Sequence, residues 1–328
     1  MNVFHLPGVR VLSYYVKIKK MTKGIFLLDK LTEEKVKQIV NLGVDTVFIG
    51  HQNFDQKLGK KLKNNGLKIY IEVGIFVGEE WWEKYPDCRP VDKNGNLMDK
   101  IHWYAGVCPN HQGVRREKLR LIKSIIDNYH IDGIWLDFIR YPCHWEEIRS
   151  KNIAEYCFCQ NCLNKFKKDE GGKSEGKKWV QWKCNQITNF VGEIHRLIDR
   201  SGKDIKLGMF SVPWRKSDFG GAITKIIGQD FKSLAKYIDV FSPMVYQKMC
   251  GRKTDWIYEI VAYMKKITRC QVLPIVQTED KPTKLTAEEF ADELKQACKF
   301  PSEGVIVFFL EDLLKNGNKL KIVKETFR

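Results

Sequence analysis

Asp137 and Arg140 stand three residues apart in the segment Asp132-Gly133-Ile134-Trp135-Leu136-Asp137-Phe138-Ile139-Arg140-Tyr141-Pro142. A short apolar run that ends in a carboxylate and passes into a long polar loop is how parallel α/β enzymes present a catalytic group. The plainer alternative is a carboxylate that caps the next helix or pairs with Arg140. A neighbouring cation lowers a carboxylate's pKa, which suits a nucleophile and not a general acid. Arg140 could instead bind an anionic group on a ligand. Chemistry at a carboxylate pair needs a second acid. Glu279, in Gln277-Thr278-Glu279-Asp280, is the first choice, Glu311 the second and Glu72 a remote third.

Cys157-Phe158-Cys159-Gln160-Asn161-Cys162 places three thiols within six residues. Thiolates at this spacing can face one tetrahedral Zn²⁺, and a closed structural zinc site needs four ligands. Cys108, in Gly106-Val107-Cys108-Pro109-Asn110, is the best fourth ligand, with His144 and Cys143 as weaker ones. Without a metal, three thiols this close in a loop would be prone to oxidation.

The elements that must carry these residues alternate. Apolar runs predict strands at Val11 to Val16, Thr46 to Ile49, Lys68 to Phe76, Ile131 to Leu136, Lys206 to Val212, Val240 to Tyr246, Gln271 to Val276 and Gly304 to Phe309. Helix-period segments separate most of them, with long loops after the third and fourth strands. Eight continuous apolar strands alternating with helices imply a single (β/α)8 TIM barrel over residues 1–328. An open doubly wound sheet would favour a glycine-rich phosphate loop after the first strand, and the sequence has none. In the barrel, Asp137, Glu279 and Glu311 fall on the catalytic rim. Tyr14, His51, Trp103, Trp214, Tyr246, Gln247 and Gln277 also lie near strand ends, where aromatic faces and amides could contact a ligand; each alone is more often packing.

With 328 residues and 43% apolar content the chain can bury a large core. No run of 18 uncharged apolar residues predicts a membrane span, and the N-terminus does not read as a secretory signal; the expectation is a cytoplasmic protein. Ten cysteines in such a chain do not suggest disulfides. The net charge of +16 raises nucleic acid as a partner. Its lysines are scattered, so a solvated surface is the stronger reading.

The Cys-x-Cys-x-x-Cys motif, followed by Asn164-Lys165-Phe166 and preceded by Cys108-Pro109-Asn110-His111 with Val114-Arg115, resembles the zinc motif of glycoside hydrolase family 42, the zinc-containing β-galactosidases. The resemblance covers about residues 103–167 and implies that Cys108, Cys157, Cys159 and Cys162 bind a structural Zn²⁺. It stops at the fourth strand. There that family has an Asn-Glu pair whose Glu is the acid/base, and this chain has Asp137-Phe138. The Asp132 segment, with Ser242-Pro243-Met244-Val245-Tyr246, also resembles a broader group of glycosyl-hydrolase-like barrel proteins. The chitinase pattern shares its first two residues but needs an acid Glu that is absent. The expectation is a carboxylate-based glycoside hydrolase acting on an oligosaccharide or glycoside, with Asp137 as nucleophile or base, as in the fucosidase and α-galactosidase barrels it distantly resembles. Two alternatives are a non-catalytic carbohydrate-binding barrel and a nucleic-acid-associated basic protein.

Overall fold

The computed structural model describes residues 21–328. The strand expected at Val11 to Val16, and Tyr14 with it, lies outside the described residues. The first described strand is β1 (Thr22–Leu27), followed by α1 (Glu33–Asn41), β2 (Thr46–Gly50), α2 (Gln56–Asn64) and β3 (Lys68–Gly74). A long loop carrying the short α3 (Glu80–Lys84) leads to α4 (Gln112–Asn128) and β4 (Gly133–Asp137). A second long loop leads to α5 (Gln160–Asp169), α6 (Gly176–Ser201) and β5 (Lys206–Ser211). The short α7 (Ala222–Lys225) and α8 (Phe231–Leu234) precede β6 (Val240–Pro243) and α9 (Asp255–Thr268). β7 (Gln271–Val272), β8 (Ile275–Gln277), α10 (Ala287–Ala297), β9 (Gly304–Phe308), α11 (Leu310–Leu313) and α12 (Gly317–Phe327) complete the chain.

All strand pairings are parallel, in the order β7-β6-β5-β4-β3-β2-β1-β9-β8. β7 and β8 are two halves of one stave, parted by Leu273-Pro274. The bridge between Met244 and Ile275 joins the two edges of the sheet. The result is an α/β barrel of the TIM type, with β1 in the place expected for Val11 to Val16. Pro274 explains the split stave, because proline has no amide hydrogen to give a ladder.

The barrel interior is filled by aromatic rings. Tyr70 stacks on Trp135 at 4.6 Å, Phe48 meets Trp135 edge-on at 5.0 Å, and Phe26 meets Phe210 at 5.8 Å. Glycines make the room for them. A Cβ on Gly208 would lie 2.2 Å from the Trp135 ring, and one on Gly24 would lie 2.9 Å from Phe48. The helices start where their sequences say they should. Thr32 accepts from Lys35 N at α1, and Thr286 with Glu289 forms a capping box at α10.

The two aspartates of the Asp132 segment separate in role. Asp132 lies at the entry to β4, where it accepts from Ile69 N at 2.7 Å and pairs with Lys63 at 2.7 Å. It ties the lower end of the sheet. Asp137 closes the same strand at the opposite, C-terminal rim.

Candidate active site and metal centre

The C-terminal mouth of the barrel holds a cavity of about 770 Å³. Its wall includes Glu72, Asp137, Glu146, Glu147 and Glu279, with Arg140, Arg149, Lys281, His102 and His144. Aromatic surface from Trp103, Phe138, Phe210, Tyr246, Phe308 and Phe309 completes it. This is the mixture of apolar wall and convergent polar groups that small-ligand sites use. A larger groove of about 1360 Å³ runs outside the barrel along α6 and α8, and none of these carboxylates lines it.

β3 and β4 set the floor. Their register pairs Glu72 with Trp135 and Gly74 with Asp137, so Glu72 sits one layer below Asp137 on the neighbouring strand. Burial raises the Glu72 carboxyl to about 8, the Asp137 charge adds to this, and Lys118 opposes it. Burial also raises the Asp137 pKa, against the pull of Arg140 and of the Phe138 amide. That amide donates to Asp137 Oδ1 at 2.6 Å. Phe138 takes φ +50°, a left-handed conformation that costs a non-glycine residue roughly 1–2 kcal/mol. The bend turns the chain back so that Arg140 Nη1 comes to 3.7 Å from Asp137 Oδ1 and its guanidinium lies 4.6 Å from the Phe138 ring.

Arg140 is 3% exposed, and its Nε and Nη1 have no hydrogen-bond acceptor. Glu146, on the loop after β4, shares its field: burial raises the Glu146 pKa, and Arg140 is the largest opposing influence. Burial also holds the Tyr246 phenol well above its usual range, and the charges of Asp137, Glu146 and Glu279 add to that effect. The Tyr246 side chain therefore sits among three acids. Its ring is stacked between Trp145 at 6.0 Å and Phe308 at 5.4 Å.

The structure gathers some of the residues singled out in the sequence and disperses others. Asp137, Arg140, Trp103, Tyr246 and Glu279 all line the cavity. Trp103 is 61% exposed and presents an edge to Phe138 at 5.8 Å. Glu279 accepts from Lys281 at 2.7 Å. Glu311 is absent from the cavity wall. It accepts from Leu28 N and Asp29 N and pairs with Lys35, so it anchors the loop after β1. Gln277 is fully buried; it accepts from Met249 N and donates to the carbonyls of Glu279 and Lys281, which fixes that loop. Gln247 is buried beside Glu293 of α10, and Trp214 packs on Phe219. His51 lies at the end of β2, outside the cavity wall, with its pKa lowered by burial and by Lys118. Glu146, Glu147, His102, Arg149 and Lys281 carried no periodic signal in the sequence; only their membership of the long rim loops marked them.

The four cysteines come together as the motif implies. The Sγ atoms of Cys108, Cys157, Cys159 and Cys162 are buried and all lie within 4.8 Å of one another. Cys108 Sγ is 3.6 Å from Cys159 Sγ and 3.4 Å from Cys162 Sγ. A tetrahedral ion with Zn–S bonds of about 2.3 Å would hold its sulfurs about 3.8 Å apart. The four thiols thus fit a metal of that size with small adjustments, and His144 and Cys143 are not among them. Asn110 bridges this cluster to the segment that follows Asp137, donating to Cys162 Sγ at 3.1 Å and to the Tyr141 hydroxyl at 3.0 Å. Backbone contacts reinforce the junction, with Phe158 N on Val91 O and Cys108 N on Cys88 O, each at 2.8 Å. The cluster clamps the loop before α4 to the loop after β4.

Residues 32–296 match the family DUF4015, described as "Putative glycosyl hydrolase domain", and the chain belongs to that family. Among curated proteins, a β-galactosidase, LacZ, of Heyndrickxia coagulans is 26% identical over 140 residues, which are 40% of this chain and 18% of that enzyme. Among solved structures, the glycoside hydrolase domain of PgaB (BpsB) from Bordetella bronchiseptica superposes with a TM-score of 0.72 at 11% identity, covering 94% of this chain and 99% of that one. The β-galactosidase of Bacillus circulans sp. alkalophilus gives 0.69 at 14% identity, covering 94% of this chain and 55% of that one. The α-L-fucosidase isoenzyme 2 of Paenibacillus thiaminolyticus gives 0.64 at 13%, covering 94% and 49%. The chain therefore spans about half the length of those last two enzymes. At these identities the structural likeness establishes the fold. Among the described residues, no helix is long and apolar enough to cross a membrane.

Proposed function

We propose that this barrel is a glycoside hydrolase acting on a glycoside or oligosaccharide, with Asp137 as its nucleophile or base. The observation that carries this reading is the single cavity at the strand ends. It joins Asp137 to further carboxylates around Tyr246, within an aromatic wall suited to sugar rings. Cleavage of a glycosidic bond needs one carboxylate near C1 and one acid near the departing oxygen. Arg140 favours the charged form of Asp137, as a nucleophile or base requires. The carbohydrate-binding alternative would leave the other wall acids without a task. Of the second acids expected from the sequence, Glu279 shares the cavity with Asp137 and Glu311 does not.

We also propose that the four cysteines hold Zn²⁺ as a structural ion. Its chemistry there is cross-linking, since four sulfur ligands leave no open position for a substrate.

The test is turnover of a panel of nitrophenyl glycosides by wild type and by Asp137→Asn. Wild type should hydrolyse at least one sugar. Asp137→Asn should lose that activity by about 10³-fold or more, as expected when an activated carboxylate is removed, with its circular dichroism and metal content unchanged. Equal activity in the variant removes Asp137 from the mechanism.

A further inference from the structure

We propose that Glu146 is the proton donor of the Asp137 site and that Arg140 is the cation that receives the charge Glu146 acquires. This rests on the glycosidase reading above and assigns the role which that reading left open.

Of the cavity's other carboxyls, Glu279 and Glu147 are excluded by their surroundings. Glu279 is engaged with Lys281 at 2.7 Å, an ion pair that a neutral carboxyl would forfeit. Glu72 is the remaining rival: it is rooted one layer below Asp137, but its carboxyl rises to Gly74, the register partner of Asp137, and the Asp137 charge acts on it. Glu147 is 65% exposed and turned towards His144 Nδ1 at 3.5 Å. Glu146 is different: its side chain is 19% exposed, its Oε2 is closed off from solvent, and that oxygen has no hydrogen-bond partner. The nearest ring nitrogen, His144 Nε2, stands 3.9 Å away, beyond hydrogen-bond reach. That oxygen is neither solvated nor paired, and the carboxyl's one hydrogen bond comes from the residue's own backbone amide. That environment keeps a carboxyl protonated until a substrate takes the proton.

Arg140 supplies the second, independent observation. A buried guanidinium normally has its N–H groups satisfied, because leaving them bare costs about 1–3 kcal/mol each. Here Nε and Nη1 are both unpartnered, although Arg140 is the largest influence opposing burial at both Asp137 and Glu146. The bare donors make sense if the acceptor is completed during the reaction. As the C1–O bond breaks, its electron pair goes to the glycosidic oxygen, and that oxygen takes the proton of Glu146. The new carboxylate then faces Arg140. Asp137 donates to C1 directly, or through a water that it deprotonates. If the sugar is held covalently on Asp137, Glu146 recovers its proton from the water that attacks C1, which restores the acid.

The experiment compares leaving groups on the sugar that wild type hydrolyses. Glu146→Gln should lose about 10²–10⁴-fold in kcat/KM on an alkyl glycoside, whose departing oxygen needs the proton, and less than about tenfold on the 2,4-dinitrophenyl glycoside, whose oxygen does not. Neither Glu279→Gln nor Glu72→Gln should show such a dependence on leaving group. Equal losses on both substrates, or the leaving-group dependence appearing at Glu279→Gln or Glu72→Gln instead, overturn the assignment. Should Glu146→Gln fold poorly by circular dichroism, Glu146→Ala with the same substrate pair decides it by the same criterion. Absence of turnover by wild type defeats the glycosidase reading itself, and full activity of Asp137→Asn removes Asp137 from it; either takes this assignment with it.

Discussion

Asp137 carries two opposing influences, and their balance can be read in a pH profile. Burial raises its pKa and Arg140 lowers it. For Glu146 the same two influences act in the same directions. Catalysis by this pair needs Asp137 ionised and Glu146 protonated, so kcat/KM falls below the pKa of the first and above the pKa of the second. Replacing Arg140 with Met removes the lowering influence from both. Both pKa values then rise, and both limbs of the bell move to higher pH. The maximum should fall as well, because the charge formed on Glu146 loses its counter-ion. The profile of Arg140→Met on the wild-type substrate checks this; limbs that stay put would show that Arg140 serves only to pack against Phe138. Asp137 and Arg140 were legible in the sequence because a strand end and a close cation are local features. Glu146 was not. It lies in a loop without periodicity, and only the folding of that loop over the rim brings it to Tyr246.

At the scale of elements, the cysteine cluster decides whether the rim holds its shape. The loop from residue 75 to residue 111 and the loop from residue 138 to residue 159 have few regular hydrogen bonds of their own. They are joined at the four thiols and through Asn110 to Tyr141, four residues beyond Asp137. If the cluster holds Zn²⁺ as proposed, a strong chelator should therefore release one Zn²⁺ per chain and abolish turnover, while far-UV circular dichroism of the barrel strands and helices largely persists. Cys162→Ser should behave like the chelated protein. Metal analysis with parallel activity assays checks the prediction; full activity at zero metal content would reduce the cluster to a packed group of thiols. This element was legible because thiolate spacing is set by ligand geometry within a few residues, and the upstream Cys108 followed from a motif. Glu311 shows the opposite case. Its position after the last strand suggested the rim. The structure instead turns it towards Leu28 N, Asp29 N and Lys35, satisfying backbone amides at the end of β1. A carboxylate near a strand end can face the mouth or tie down a loop, and only the neighbouring strand decides which.

At the scale of the whole molecule, the sheet is uneven around its circumference. The register between β2 and β3 pairs five residues on each side, whereas β6 and β7 pair two, and β6 meets β8 through the single Met244–Ile275 bridge. Pro243 and Pro274 sit within this seam and contribute no amide hydrogens. The sequence reading took Gln271 to Val276 as one strand because its apolar run is nearly unbroken, and the proline inside it was the signal that the stave is divided. The strand expected at Val11 to Val16 lies outside the described residues, and the run Thr22–Leu27, despite Lys23 and Gly24, forms β1. Gly24 is there for the Phe48 ring, a requirement set by a strand far off in sequence. Segments with fewer ladder bonds open more readily, since local unfolding costs only what the local contacts provide. Hydrogen exchange should accordingly be fastest, among the barrel strands, in peptides covering Val240–Gln277, and slowest in those covering β2, β3 and β4. Gln277 lies on this seam and fixes the loop bearing Glu279 and Lys281, so opening there would widen one wall of the cavity. A ligand that fills the cavity should slow exchange in that segment more than in β2 or β3. Uniform protection around the barrel, with or without ligand, would show that the seam is as firm as the rest of the sheet and that the mouth is shaped by its loops alone.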